Sequence, residues 1–128
     1  MAMDERKIVD GILIVDDNDP RRCVIFNFRT WVEIIKGLMV QYAGKTEKEA
    51  ASILLNSPLV ENALRSYMAV GLRAHELDYH WAMLLAHGEG YWRKGIDTEE
   101  PDGYEEWDER YRKEHDLEER NFIFYDQK

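Results

Sequence analysis

Glu76, His80 and His87 are the side chains in this sequence best placed to do chemistry. Two imidazoles and a carboxylate can hold a transition metal or move a proton. On an ideal helix the three fall within roughly 40° of arc, since each residue advances ~100°. Their rise works against a single ion, because His80 and His87 are about two turns, roughly 10 Å, apart along the axis. Glu76 and His80 remain a workable pair, with His75 or Asp78 as the nearest source of a third ligand. The run His75-Glu76-Leu77-Asp78-Tyr79-His80 is not the zinc-protease motif, whose second histidine stands one place earlier. A small metal-dependent enzyme built on Glu76 and His80 is therefore one reading. The plainer reading puts these groups along the polar edge of a core stripe. It is preferred, and no catalytic residue, metal or cofactor is assigned.

Other nucleophiles find little support. Cys23 is the single cysteine, so no intramolecular disulfide can form, and nothing beside it argues for an activated thiolate. It reads as a small buried hydrophobe in a chain suited to a reducing, cytoplasmic compartment. Ser52, Ser57 and Ser66 sit in helical patterns or at a helix start. Gly88, Gly90 and Gly95 are too loosely spaced for a phosphate-binding loop.

Charge is more informative. Residues 1–96 carry 13 acidic against 12 basic side chains, whereas residues 97–128 carry 13 against 5. A nearly neutral body thus bears a strongly acidic C-terminal segment. Such an imbalance speaks to partners and steering rather than to fold. It disfavours direct nucleic-acid binding, which needs Lys and Arg on phosphates. Asp97, Glu99, Glu100, Asp102, Glu105, Glu106 and Glu109 are interleaved with Tyr104 and Trp107. Together they suggest a surface complementary to a basic protein, with aromatic anchors. The loop from Gly88 to Gly95 adds Tyr91 and Trp92 beside Arg93 and Lys94, and Trp92 is a further candidate anchor. The competing reading is a solvated, salt-bridged helix, with Trp92 closing the core.

The elements that must position these groups read as mainly helical, in a single domain spanning 1–128. Ile12–Val15 and Cys23–Phe26 are β-prone runs around Asp16-Asp17-Asn18-Asp19-Pro20, the residues of a hairpin turn. A competing reading carries the first helix back through Phe28 and Phe26. Thr30 and Glu33 have capping-box spacing and predict a helix whose buried face is Trp31, Ile34, Ile35, Leu38 and Tyr42, ending at Gly44. Thr46 and Glu49 repeat the box for a second helix through Leu55. Ser57-Pro58 predicts a third, with Val60, Leu64, Tyr67, Met68 and Gly71 buried. Leu77, Trp81, Leu84 and Leu85 define a fourth, ended by Gly88. After a loop, Asp102 and Glu105 predict the start of a fifth, striped by Tyr104, Trp107, Tyr111 and His115. Glu106–Arg110 and Glu109–Lys113 are expected ion pairs along it. Asn121–Tyr125 reads as a strand or extended arm. The expected architecture is about five helices, with a small antiparallel sheet from the hairpin and the C-terminal run. A larger sheet would make the class α+β.

No secretory signal is evident, and no run approaches the ~18 apolar residues of a membrane span. In size, acidity, lone cysteine and lack of a catalytic signature, the chain resembles small bacterial toxin-immunity proteins. The likeness is one of general character and carries no residue correspondences. It implies a cytoplasmic, non-enzymatic inhibitor that occludes the active site of a basic toxin such as a nuclease. A nucleic-acid mimic that inhibits a defence enzyme would use the same surface. Self-association into a homodimer would also suit an aromatic stripe with charged flanks.

Overall fold

The computed structural model describes residues 3–126. Its elements run β1 (Ile12–Val15), β2 (Arg22–Phe26), α1 (Phe28–Ala43), α2 (Glu47–Leu55), α3 (Pro58–Glu61), α4 (Tyr67–His75), α5 (Asp78–His87), α6 (Tyr104–Glu114) and β3 (Phe122–Asp126). Single 3-10 turns occupy Glu5–Lys7 and Tyr91–Lys94. The chain is mainly helical, with a three-stranded antiparallel sheet of order β1-β2-β3. The hairpin and the C-terminal run therefore form one small sheet, and the mainly-α expectation holds.

The hairpin closes on its own turn chemistry. Asp16 accepts the Asn18 amide at 2.9 Å, and Asp19 accepts the Arg21 amide at 3.2 Å. In register, Ile12, Phe26 and Phe122 face one another, as do Ile14, Val24 and Phe124. Alternation turns these rows towards the helices, where Phe26 stacks on Phe122 at 5.0 Å and meets Trp31 edge-on at 5.6 Å; Phe124, at the end of its row, remains exposed. The opposite face carries Leu13, Ile25, Ile123, Val15, Cys23 and Tyr125. Leu13, Val15 and Tyr125 are exposed there.

α1 is the central element. Trp31, Ile34, Ile35, Leu38 and Met39 are fully buried along it. Each such side chain contributes about 1.5–3 kcal/mol relative to exposure. α5 packs along α1 through Tyr79, Ala82 and Met83. α2 and α6 cover its remaining sides. α1 ends at Gly44, and α2 opens on the reciprocal Thr46–Glu49 box, as its spacing requires.

Four local expectations are corrected. Thr30 and Glu33 do not cap α1, which begins two residues before Thr30; Glu33 pairs with Lys36 instead, at 2.9 Å. The amide of Thr30 is accepted by Asp10, from outside the helix, at 2.7 Å. The third helix is broken into α3 and α4, because Ser66 accepts the Ala69 amide and starts a new helix. Arg73 holds the break, donating to the Leu59 carbonyl at 2.7 Å and the Ala69 carbonyl at 2.8 Å. Met68 is consequently 71% exposed rather than buried. On α5 the apolar face is rotated, leaving Leu77 exposed and Tyr79 inside. Finally, α6 starts from Gly103, and Asp102 makes no cap.

α6 approaches α1 closely at Gly37. A β-carbon added there would lie 2.5 Å from Cζ of Tyr111. Ordinarily Gly→Ala in a helix interior stabilises by about 1 kcal/mol. Here Gly37→Ala is expected to destabilise by about 1–3 kcal/mol through overpacking. In a Tyr111→Ala background the penalty should vanish, and a double-mutant cycle read by urea unfolding measures the coupling. Additive effects would show that the two residues do not meet.

Candidate partner-binding surface

The loop 95–103 and the first half of α6 form one continuous segment. α6 presents Tyr104, Trp107, Tyr111 and His115 on one face, as the four-residue period requires. Trp107 stacks on Tyr111 at 4.7 Å and meets Tyr42 edge-on at 5.9 Å. That face is held against α1, so the charged faces look outward. The C-terminus of α6 closes in a Schellman turn: Leu117 donates to the Arg112 carbonyl at 2.8 Å, with Asp116 at φ 54°.

Asp97, Glu99, Glu100, Asp102, Glu105, Glu106 and Glu109 are all exposed. Among the described residues, none of the seven lies in an ion pair. The expected Glu106–Arg110 and Glu109–Lys113 bridges do not form. Arg110 turns to Glu114 at 3.7 Å, and Arg112 to Asp108 at 2.9 Å. Both acids lie outside the seven. Glu105 and Glu106 stand in the first turn of α6, where the helix dipole favours carboxylates. The carboxyl of Glu100 is raised above its usual range by burial and by Glu105 and Asp108.

The aromatic anchors divide. Trp107 is only 7% exposed and belongs to the core, so it is removed from the candidate surface. Tyr104 is half-buried, and burial with nearby Asp78, Asp108 and Glu100 raises its phenol. Trp92 does not close the core: Tyr91 does, fully buried, while Trp92 is 49% exposed. The turn carrying both is bounded by Gly90 and Gly95 at φ 70° and 88°, a conformation that favours glycine.

Glu76 and His80 are brought together, but not on one helix. Glu76 follows α4 and His80 lies in α5; Nε2 of His80 and Oε2 of Glu76 are 3.8 Å apart. Nδ1 of His80 is shared with the Tyr91 hydroxyl at 2.9 Å. Among the described residues no three His, Cys, Asp or Glu side chains form a metal-holding group. Asp78, a candidate third ligand by its place in the sequence, is committed elsewhere. Its Oδ2 accepts from Nδ2 of Asn121 at 2.6 Å, and Oδ1 of Asn121 accepts from Arg112 at 3.0 Å. This Asp78–Asn121–Arg112–Asp108 chain ties α5, the residue preceding β3, and α6 together. The residues stand far apart in sequence, and only the four-residue Asp108–Arg112 spacing could have signalled any of it.

No protein-family model, curated protein or solved structure matches the chain. No helix among the described residues is long and apolar enough to cross a membrane.

Burial pushes the Asp78 carboxyl up to about 6 from 3.8, against the lowering effect of Asn121 and Arg112. The folded state then holds this proton more tightly than the unfolded chain. The contribution is fully present below pH ~4 and is lost as pH rises through about 6. Asp78→Asn keeps an acceptor for Asn121 and removes the titration. Relative to the parent, it should gain about 2–3 kcal/mol of stability between pH 4 and pH 7. Urea unfolding at pH 4.5, 5.5, 6.5 and 7.5 measures this; parallel curves for the two proteins would refute it.

Proposed function

We propose that this chain is a non-enzymatic binding protein of the toxin-immunity kind. It neutralises a basic protein, such as a nuclease, by laying the 97–109 surface over the partner's active site. One observation carries the reading: seven exposed carboxylates in thirteen residues find no cation in their own chain among the described residues. A structural acidic helix uses its carboxylates on neighbouring Lys and Arg, as Asp108 and Glu114 do here. The rest are left for an external charge. Free carboxylates steer a basic partner and reject acidic ones, but each exposed pair adds little affinity. Trp92, an exposed large aromatic close to this segment in sequence, supplies apolar contact area. Occlusion of this sort needs no bond-making.

The test is complex formation with the product of the adjacent gene. Glu105→Lys, Glu106→Lys and Glu109→Lys together should weaken the complex by about 100-fold. The parent complex should weaken steeply with salt, and Trp92→Ala should raise the dissociation rate. Charge reversal that leaves binding and its salt dependence intact removes the acidic surface from the mechanism.

A further inference from the structure

The hairpin turn and α4 enclose an open groove of about 560 Å³. Its apolar floor is Tyr67, Met68, Gly71 and Leu72, and one wall is Asp16 and Asp17. None of the carboxylates of 97–109 lines it, so occupation of the groove does not depend on the acidic surface. Met68 and Leu72 are 71% and 62% exposed, the two most exposed large apolar side chains described. They stand one turn apart with Gly71 between them.

Gly71 has no explanation among the described residues. A β-carbon there would meet nothing within 4 Å. Glycine weakens a helix interior relative to alanine. At Gly37 the missing side chain makes room for Tyr111. At Gly71 no described residue uses the space that the missing side chain leaves. The wall supplies a charge preference. Arg22, the cation lining the groove, already faces Asp19 at 3.8 Å and Asp126 at 3.9 Å. Asp16 accepts its own turn's amide, and neither Asp16 nor Asp17 has an ion pair among the described residues. His75 also lines the groove, with its ring exposed.

We infer that this groove docks a peptide segment of a partner protein in which a large apolar side chain is flanked by Lys or Arg. The apolar side chain lies over Gly71, between Met68 and Leu72. The flanking cation meets Asp16 and Asp17. Apolar burial gives the affinity and the carboxylates set the orientation.

The probe is a short amidated peptide with Leu and Trp between Lys and Arg. One control replaces the cations by Glu; a second replaces Leu and Trp by Ser. Binding is followed by chemical shift changes in the ¹⁵N-labelled full chain. The probe should shift residues 16–18 and 66–72, and both controls should bind at least about tenfold more weakly. Gly71→Phe fills the groove from open space and should weaken the probe by about tenfold or more, while Gly71→Ala raises the melting temperature. Asp16→Asn with Asp17→Asn, both at the surface turn, should weaken it by about threefold or more even if Gly71→Phe misfolds. Reversal of Glu105, Glu106 and Glu109 should change groove binding by less than about twofold. The inference is overturned if shifts appear only along 97–109, or if folded Gly71→Phe binds within about twofold of the parent. It is equally overturned if the chain is a dimer that Gly71→Phe dissociates, since the occupant is then a second copy.

Discussion

The first turn of α1 is the point at which both ends of the chain are tied. Asn27 and Thr30 are buried there, yet neither caps its own helix. Asn27 instead accepts the Gly11 amide at 2.9 Å and donates to the Arg120 carbonyl at 2.8 Å. Thr30 donates to Asp10 at 2.9 Å and accepts the Glu118 amide at 3.0 Å. Asp10 takes the free helix amide of Thr30, so the cap comes from a residue before the hairpin. Arg29 adds the carbonyls of His115 and Asp116. The side chains of Asn27 and Thr30 are satisfied by partners distant in sequence. A buried donor left alone would be strongly unfavourable, so the collar forms only when both termini arrive.

From that tie the positions of the sheet and of α6 follow. The segment 116–121 is held against α1, so β3 must pair with β2, and α6 must return along α1. The Tyr111 ring then fits only because residue 37 has no side chain. Asp78, Asn121, Arg112 and Asp108 close the same joint from the α5 side. The joint draws one of the acidic segment's cations inward, Arg112 to Asp108 and Asn121. The outward carboxylates of 97–109 thereby lose one cation that could have neutralised them. The acidity of the surface is thus partly a consequence of how the C-terminal segment is anchored.

Signals confined to one turn of chain were legible. Gly44, the Thr46–Glu49 box, Gly88 and the turn residues of 16–20 each state their own geometry, and the two hairpin strands and the C-terminal strand follow. What failed depended on distant residues. Thr30 and Glu33 have the spacing of a box, but Asp10 supplies the acceptor. The apolar period runs unbroken from Val60 to Gly71, and nothing local announces that Arg73 folds α4 back onto the carbonyl of Leu59. Four acid–base pairs stand at four-residue spacing on α6: Glu106–Arg110, Asp108–Arg112, Glu109–Lys113 and Arg110–Glu114. Only Asp108–Arg112 and Arg110–Glu114 form, the first because Asn121 and the Glu118 carbonyl hold Arg112 in place. At the candidate surface the carboxylates were legible, since exposure is the default for such residues. Trp107 and Trp92 were not, since either aromatic could have faced the core.

Charge and apolar exposure lie on different elements of this molecule. The free carboxylates belong to 97–109, whereas Leu13, Val15, Met68, Leu72 and Tyr125 are exposed on the sheet and α4. The two features do different physical work. Carboxylates in water attract a basic partner over about a Debye length, which raises the encounter rate. Once the partner arrives, their contribution to affinity is small, because solvent screens each pair. Lasting association needs apolar area withdrawn from water, and 97–109 offers little of it after Trp107 is taken into the core. A tight complex formed through the acidic segment alone would therefore be fast to assemble and fast to fall apart. Slow dissociation requires an apolar contact as well. The exposed side chains that could make one include Trp92, close to the acidic segment in sequence, and the Met68–Leu72 pair, on the element that carries the groove.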